Sequence, residues 1–209
     1  MKWIFYIAAF LFPVLTFGQA RSWTTSTYGN GAQQAWIYRP PGYNGQSNWP
    51  LVIFLHGQGE SGTDINLVDN TGLAESLAGG MDLPALVICP QRASGGSGQW
   101  DAAFTAAALN HMITNYNVNQ DKVYITGLSL GGSGSAIYTR ANPSKVAAAI
   151  FVSGSNYANN AAEQDSLAKV PINMQHGYQD GTQDASNAYN LLQWLVPKDP
   201  VVIPVLETY

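Results

Sequence analysis

The sequence predicts a three-layer α/β fold, a mostly parallel sheet with helices on both faces and no large lid. Three observations carry that expectation. Short apolar, β-branched runs recur along the chain, and stretches with helical spacing separate them. One such run passes through Gly127-Leu128-Ser129-Leu130-Gly131 directly into a small-residue helix start. Continuous apolar strands are those buried on both faces, as in parallel sheets. Strand–helix repetition with right-handed crossovers builds such a sheet.

Ala35 to Tyr38 reads as an early strand, ended by Arg39-Pro40-Pro41. Leu51 to Leu55 and Ala85 to Cys89 are uninterrupted apolar runs and predict central strands. Asp101 is placed to cap a helix reaching about Tyr116, with Leu109, Met112, Ile113 and Tyr116 at helical spacing. Val123 to Thr126 is the strand before Ser129, and the helix after it ends near Asn142 because Pro143 cannot continue it. Strands follow at Ala147 to Val152 and Ile172 to Gln175, with a helix over Ala185 to Leu195 that stops before Pro197. The last run, Val201 to Leu206, contains Pro204 and predicts an edge strand. Ser155 to Lys169 is short and polar, leaving no room for a lid domain.

A chain of 209 residues supports one domain with a sizeable core. Residues 1–20 are set apart as a signal peptide and 21–209 as the domain. Met1-Lys2 is positive, Trp3 to Phe17 is apolar but short for a bilayer, and Gly18-Gln19-Ala20 offers small residues for cleavage. The expected location is therefore secreted or periplasmic, with no stable membrane anchor. Charged residues make up 11% of the chain, against about 25% in an ordinary domain. With a net charge of -4 and no Lys/Arg cluster, nucleic acid is not an expected partner. Cys89, the single cysteine, excludes an internal disulfide and reads as a buried strand residue. No metal-ligand cluster, phosphate loop or dinucleotide fingerprint occurs, so neither metal nor cofactor is expected.

The Gly-x-Ser-x-Gly stretch between strand and helix predicts a nucleophile elbow with Ser129 at its apex. Gly127 and Gly131 are required because the turn brings backbone segments too close for a Cβ. A serine hydroxyl is inert at its own pKa and needs a base, itself oriented by a third group. His56-Gly57-Gln58-Gly59 follows directly on Leu51 to Leu55. In this architecture the backbone N–H groups of Gln58 and Leu130 are the expected oxyanion-hole donors. His56 is expected to brace that turn.

With these residues the chain resembles the α/β-hydrolases from about Ala35 to Leu206. It is closest to small secreted esterases, among them feruloyl and acetyl-xylan esterases, dienelactone-hydrolase-like and polyhydroxybutyrate-depolymerase-like proteins. The resemblance rests on Tyr38-Arg39-Pro40-Pro41-Gly42-Tyr43, His56-Gly57-Gln58-Gly59, the elbow, and Pro171-Ile172-Asn173-Met174-Gln175-His176-Gly177-Tyr178-Gln179-Asp180. Dienelactone hydrolases carry a cysteine where this chain has Ser129, which favours ordinary ester hydrolysis. The resemblance implies that Asp180 is the acidic triad member, with Asp184 as fallback or as a helix cap. His176 is expected to be structural and to point away from the site. The family's histidine base lies after the strand that here spans Val201 to Leu206, and none of His56, His111 and His176 occupies that loop. His111, opposite the apolar stripe of its helix, is expected in solvent. The chain thus reads as stopping short of its base, which predicts little activity and poor solubility as written.

The resulting expectation is a secreted serine carboxylic-ester hydrolase acting through an acyl-enzyme. Its substrate would be a small or polysaccharide-linked ester, such as a feruloyl or other acyl ester of plant polysaccharide. A serine peptidase and a non-catalytic binding protein of the same fold are the alternatives. Trp100, Tyr157 and Tyr178 are candidates for an aromatic rim, as are Trp23, Trp36 and Trp49 near the N-terminal part, although packing roles compete.

Overall fold

The computed structural model describes residues 22–29, 31–46, 48–93, 98–198, 200 and 205–208. The proposed signal peptide and residues 201–204, with Pro204, lie outside them. The strands are β1 (Ser22–Tyr28), β2 (Gln33–Arg39), β3 (Trp49–Leu55), β4 (Leu86–Pro90), β5 (Val118–Leu128), β6 (Ala148–Val152), β7 (Ile172–His176) and β8 (Val205–Thr208). The helices are α1 (Gly72–Ala78), α2 (Ala102–Asn115), α3 (Leu130–Ala141), α4 (Ala161–Leu167) and α5 (Ser186–Leu195). One sheet takes the order β1-β2-β4-β3-β5-β6-β7-β8. β1 and β2 are antiparallel to their neighbours, and from β4 to β8 every pairing is parallel. The chain crosses from one side of β3 to the other between β4 and β5. That makes the carboxyl ends of β3 and β5 the switch point where open α/β sheets hold ligands.

β1, α1 and α4 have no counterpart in the sequence reading. β1 is Ser/Thr-rich (Ser22-Trp23-Thr24-Thr25-Ser26-Thr27-Tyr28) and sits at the sheet edge, where one side needs no apolar cover. It corrects the expectation for His111. Ser26 Oγ lies 3.1 Å from His111 Nε2, and the Tyr28 ring packs 5.4 Å from the imidazole. The histidine is half-buried beneath this strand, because the edge strand folds over the polar side of α2. Asp101 caps α2 as expected, accepting from Ala103 N at 2.8 Å.

Strand alternation divides the core. Ile37, Ile53, Ile88, Ile125 and Phe151 face the layer of α2, α3, α4 and α5. Tyr38, Phe54, Val87 and Cys89 face α1 and the turn of 3-10 helix at Ile65–Asn70. The second cover extends from β1 across β2 and β4 to β3. Across β5 and β6 the same face carries Tyr124 and Ile150, 37% and 41% exposed, around an apolar hollow of about 250 Å³. Among the described residues nothing lies over it. Neighbouring positions on β6 should therefore respond differently. Phe151→Ala, fully buried, is expected to cost about 3–5 kcal/mol, and Ile150→Ala less than about 1 kcal/mol, in urea unfolding at neutral pH. Equal losses at the two positions would mean that both faces are covered.

Candidate active site

β5 leads through Gly127 and Leu128 to Ser129, which stands between strand and helix with φ +55° and ψ -115°. A non-glycine residue at positive φ is strained, and such strain gathers at functional sites. The surroundings enforce it. A Cβ on Gly131 would collide with the carbonyl oxygen of Leu55 and lie 2.7 Å from that of His56. One on Gly127 would collide with the Gly131 carbonyl and lie 2.6 Å from Leu55 O. Ser129 N donates to Val152 O at 2.8 Å, tying the turn to the end of β6. The elbow read from the sequence is thus present, with its serine partly exposed at the carboxyl edge of the sheet.

The turn after β3 lies against it. A Cβ on Gly57 would come within 3.8 Å of Ser129 Cβ and 3.6 Å of Leu128 O. Gln58 follows at the surface, and Leu130 opens α3, where the first N–H groups of a helix have no intrahelical partner. The two expected donors therefore belong to segments that meet at Ser129. Glu60, which the sequence reading passed over, brings its Oε2 to 3.2 Å of the same Gly57 Cβ position, placing a carboxylate at the site margin.

His56 is fully buried and committed to the fold. Its Nδ1 donates to Gly57 O and its Nε2 accepts from Arg92 N at 3.0 Å. The Trp100 ring packs edge-on 4.9 Å away, and Trp100 Nε1 donates to His56 O at 3.1 Å. Burial pushes the imidazole pKa down to about 4 from an ordinary 6.5. The sign follows from linkage. Between pH 6.5 and 4 the unfolded chain holds the proton and the folded one does not. Stability is complete above 6.5 and falls by about 3 kcal/mol as pH drops through 4. Unfolding free energies at pH 7.5 and 4.5 should show most of this loss in the native chain. His56→Asn, less stable at neutral pH, should be flatter across the window. The Asp180 and Asp184 carboxyls are held below the ordinary 3.8, so their contributions are lost only at lower pH.

Asp180 follows β7 on a tight turn. Its Oδ1 accepts from Thr182 N at 2.8 Å and Gln183 N at 2.9 Å, and these two N–H groups keep the carboxyl ionised. The Ser153 side chain adds a smaller lowering to the same carboxyl. Ser153 stands directly after Val152, the residue that receives Ser129 N, and its own φ is +46°. The end of β6 therefore lies between the elbow and the Asp180 turn. Sequence reasoning missed Ser153; the signal was Ser153-Gly154-Ser155 at a strand end. His176 is structural, as expected, yet does not point away. It is fully buried, Nε2 donates to Gln183 O at 2.7 Å, and Asp180 Oδ2 lies 3.7 Å off, so it shores up the acid turn from below. Asp184 acts as a cap, its Oδ1 accepting from Ser186 N at 2.8 Å. His56, His111 and His176 all bond other groups, and none bonds Ser129.

Of the expected aromatic rim, only Tyr178 stands free, 71% exposed beside Asp180. Trp100 is buried because Gly134 of α3 leaves room for its ring, and Tyr157 because its ring stacks 5.5 Å from Phe151 while its OH accepts from Gly154 N. Trp23 and Trp36 stack on each other at 5.1 Å, packed against the α1 side of the sheet. Trp49 tilts against Tyr43 at 6.0 Å and packs at the border of the larger core. Among the described residues no His/Cys/Asp/Glu group could hold a metal ion. Among them also, no helix is long and apolar enough to cross a membrane.

The model of the Esterase family matches residues 26–192. Among solved structures, a thermostable esterase superposes with a TM-score of 0.69 at 23% identity, covering 90% of this chain and 55% of that one. A mutant of the feruloyl esterase module from Clostridium thermocellum, complexed with sinapinate, gives 0.66 at 15% identity, covering 92% and 82%. Porphyromonas gingivalis dipeptidyl peptidase 4 gives 0.68 at 14%, covering 92% of this chain and 32% of that one. The chain thus spans little more than half of the thermostable esterase and a third of the peptidase.

Proposed function

Since this chain belongs to the Esterase family, we propose that it acts on carboxylic esters with Ser129 as the nucleophile. The Ser129 Oγ attacks the ester carbonyl, and the Gln58 and Leu130 N–H groups hold the oxyanion. The alcohol leaves, and water releases the acid from the acyl-serine. Asp180, ionised and held by the Thr182 and Gln183 N–H groups, orients the imidazole that removes the serine proton. The observation that carries this reading is the strained Ser129 at the switch point, with the turn of Gly57 against its Cβ.

That imidazole is none of the chain's three, each engaged elsewhere, so these 209 residues alone turn over slowly. Phenolic acyl esters of polysaccharides are the substrate class proposed, with Tyr178 at the rim as the ring contact. The feruloyl esterase module among the structural neighbours points the same way. The protein is proposed to be exported, on the pattern of residues 1–20.

The test is hydrolysis of p-nitrophenyl acetate, methyl ferulate and a dipeptidyl anilide, each with and without added imidazole as the missing base. Both esters should be cleaved faster than by imidazole alone, and the anilide should not. A protein-dependent rate on the anilide above that on the esters would replace this reading with a peptidase. No protein-dependent rate on any of them, with imidazole present, would leave a binding protein.

A further inference from the structure

We propose that the cleft between the Asn156–Asn159 loop and α5 is a binding site for neutral oligosaccharide. It gives the polysaccharide part of the proposed substrate a place to bind but depends on no hydrolytic step. Asn187, Asn190, Leu191 and Trp194 recur at the spacing of one helical stripe, and all four line the cleft opposite the loop. A stripe facing a neighbouring segment is ordinarily apolar throughout. Here only Leu191, buried to 1% exposure, performs that packing role. The two asparagines are poor helix formers, and no packing gain offsets them.

Their amides are available for a ligand. Asn187 Nδ2 gives one hydrogen to Asp184 O, leaving Oδ1 and its second hydrogen. Among the described residues the Asn156 and Asn190 side-chain amides have no partner. Trp194 presents a ring 41% exposed beside them. Amides that donate and accept at adjacent atoms match vicinal sugar hydroxyls. An open indole face suits the apolar C–H face of a pyranose, as rings that pair one apolar and one wet side do. The cleft, about 100 Å³, has room for roughly three waters, the space that such hydroxyls would take.

The lining carries no charged side chain, and the two charges nearby are committed to holding the loop. Arg140 Nη1 donates to Asn156 O at 2.8 Å and Tyr157 O at 2.7 Å. Glu163 accepts from Asn159 N at 2.7 Å and pairs with Arg140 at 3.5 Å. One wall is thus preorganised and neutral, which lowers the ordering cost of binding a flexible glycan and disfavours ionic ligands.

Binding of xylotetraose, cellotetraose, maltotetraose and mannotetraose to the full chain should be followed by tryptophan fluorescence and calorimetry. At least one should bind saturably, with a dissociation constant of about millimolar or below. Trp194→Ala and Asn190→Leu should each weaken it by about tenfold or more, with an unchanged circular dichroism spectrum. If Trp194→Ala does not fold, Asn190→Leu, at an exposed position, carries the test. Ser129→Ala should bind as the native chain does, so loss of the imidazole-dependent hydrolysis and loss of the glycan site are read separately. No saturable binding by any of the four, or native affinity in the folded cleft variants, would overturn the proposal.

Discussion

Ser129→Ala is expected to leave the ester-hydrolysis rate of this chain nearly unchanged in plain buffer and to abolish the protein-dependent acceleration that added imidazole brings. The reason is that a catalytic triad acts as a unit. In a comparable serine enzyme, loss of the nucleophile or of the histidine alone costs about 10⁶ in turnover, much the same as loss of the whole triad. With no histidine bonded to Ser129, the proposed mechanism expects that loss in the native chain too, so removing the hydroxyl should add little. Imidazole restores a base, and only then does the Oγ matter. The native chain should then exceed Ser129→Ala by about 10² or more, a fraction of the full effect because the diffusing base is not held in place. Asp180→Asn should reduce the same increment. Equal imidazole-dependent rates with and without the hydroxyl would remove Ser129 from the mechanism.

Gly131→Ala carries the second large effect, this time on stability. The added methyl would overlap the Leu55 carbonyl and approach His56 O to 2.7 Å, and both are backbone atoms at the end of a central strand. Neither can move without opening the β3–β5 pairing. The loss should exceed about 4 kcal/mol, a large share of the roughly 5–15 kcal/mol that holds a domain folded. Gly59→Ala is the control, since a Cβ there meets nothing within 4 Å. Urea midpoints should collapse for Gly131→Ala and stay within about 0.5 kcal/mol of native for Gly59→Ala. A tolerated Gly131→Ala would show the elbow to be far looser than its contacts imply.

Where local chemistry is strong, the sequence was legible. Apolar strands, the Asp101 cap, the break at Pro143, the glycines flanking Ser129 and the bracing role of His56 all follow from short-range rules, and the structure has them. The turn that lies against Ser129 was legible because it adjoins a strand end. Contributions from partners distant in the chain were not legible. β1 is polar at a sheet edge and carries no strand periodicity of its own, so the burial of His111 beneath it went unseen. Trp100 and Tyr157 were taken for rim residues because loop position says nothing about a ring-sized space beside Gly134 or a stacking partner such as Phe151.

By itself the sequence determined the order of the strands from β2 onward and of the three longer helices, the strained serine between two glycines, and the residue types available at the site. These depend on backbone sterics and hydrophobic periodicity, which act over a few residues. Only the tertiary structure decided which groups meet: Ser153 with Asp180, His176 under the acid turn, Gly57 against Ser129, and the amides of α5 facing the loop after β6. Such meetings depend on strand order and on which face each side chain takes, and both emerge only when segments far apart in the chain pack together.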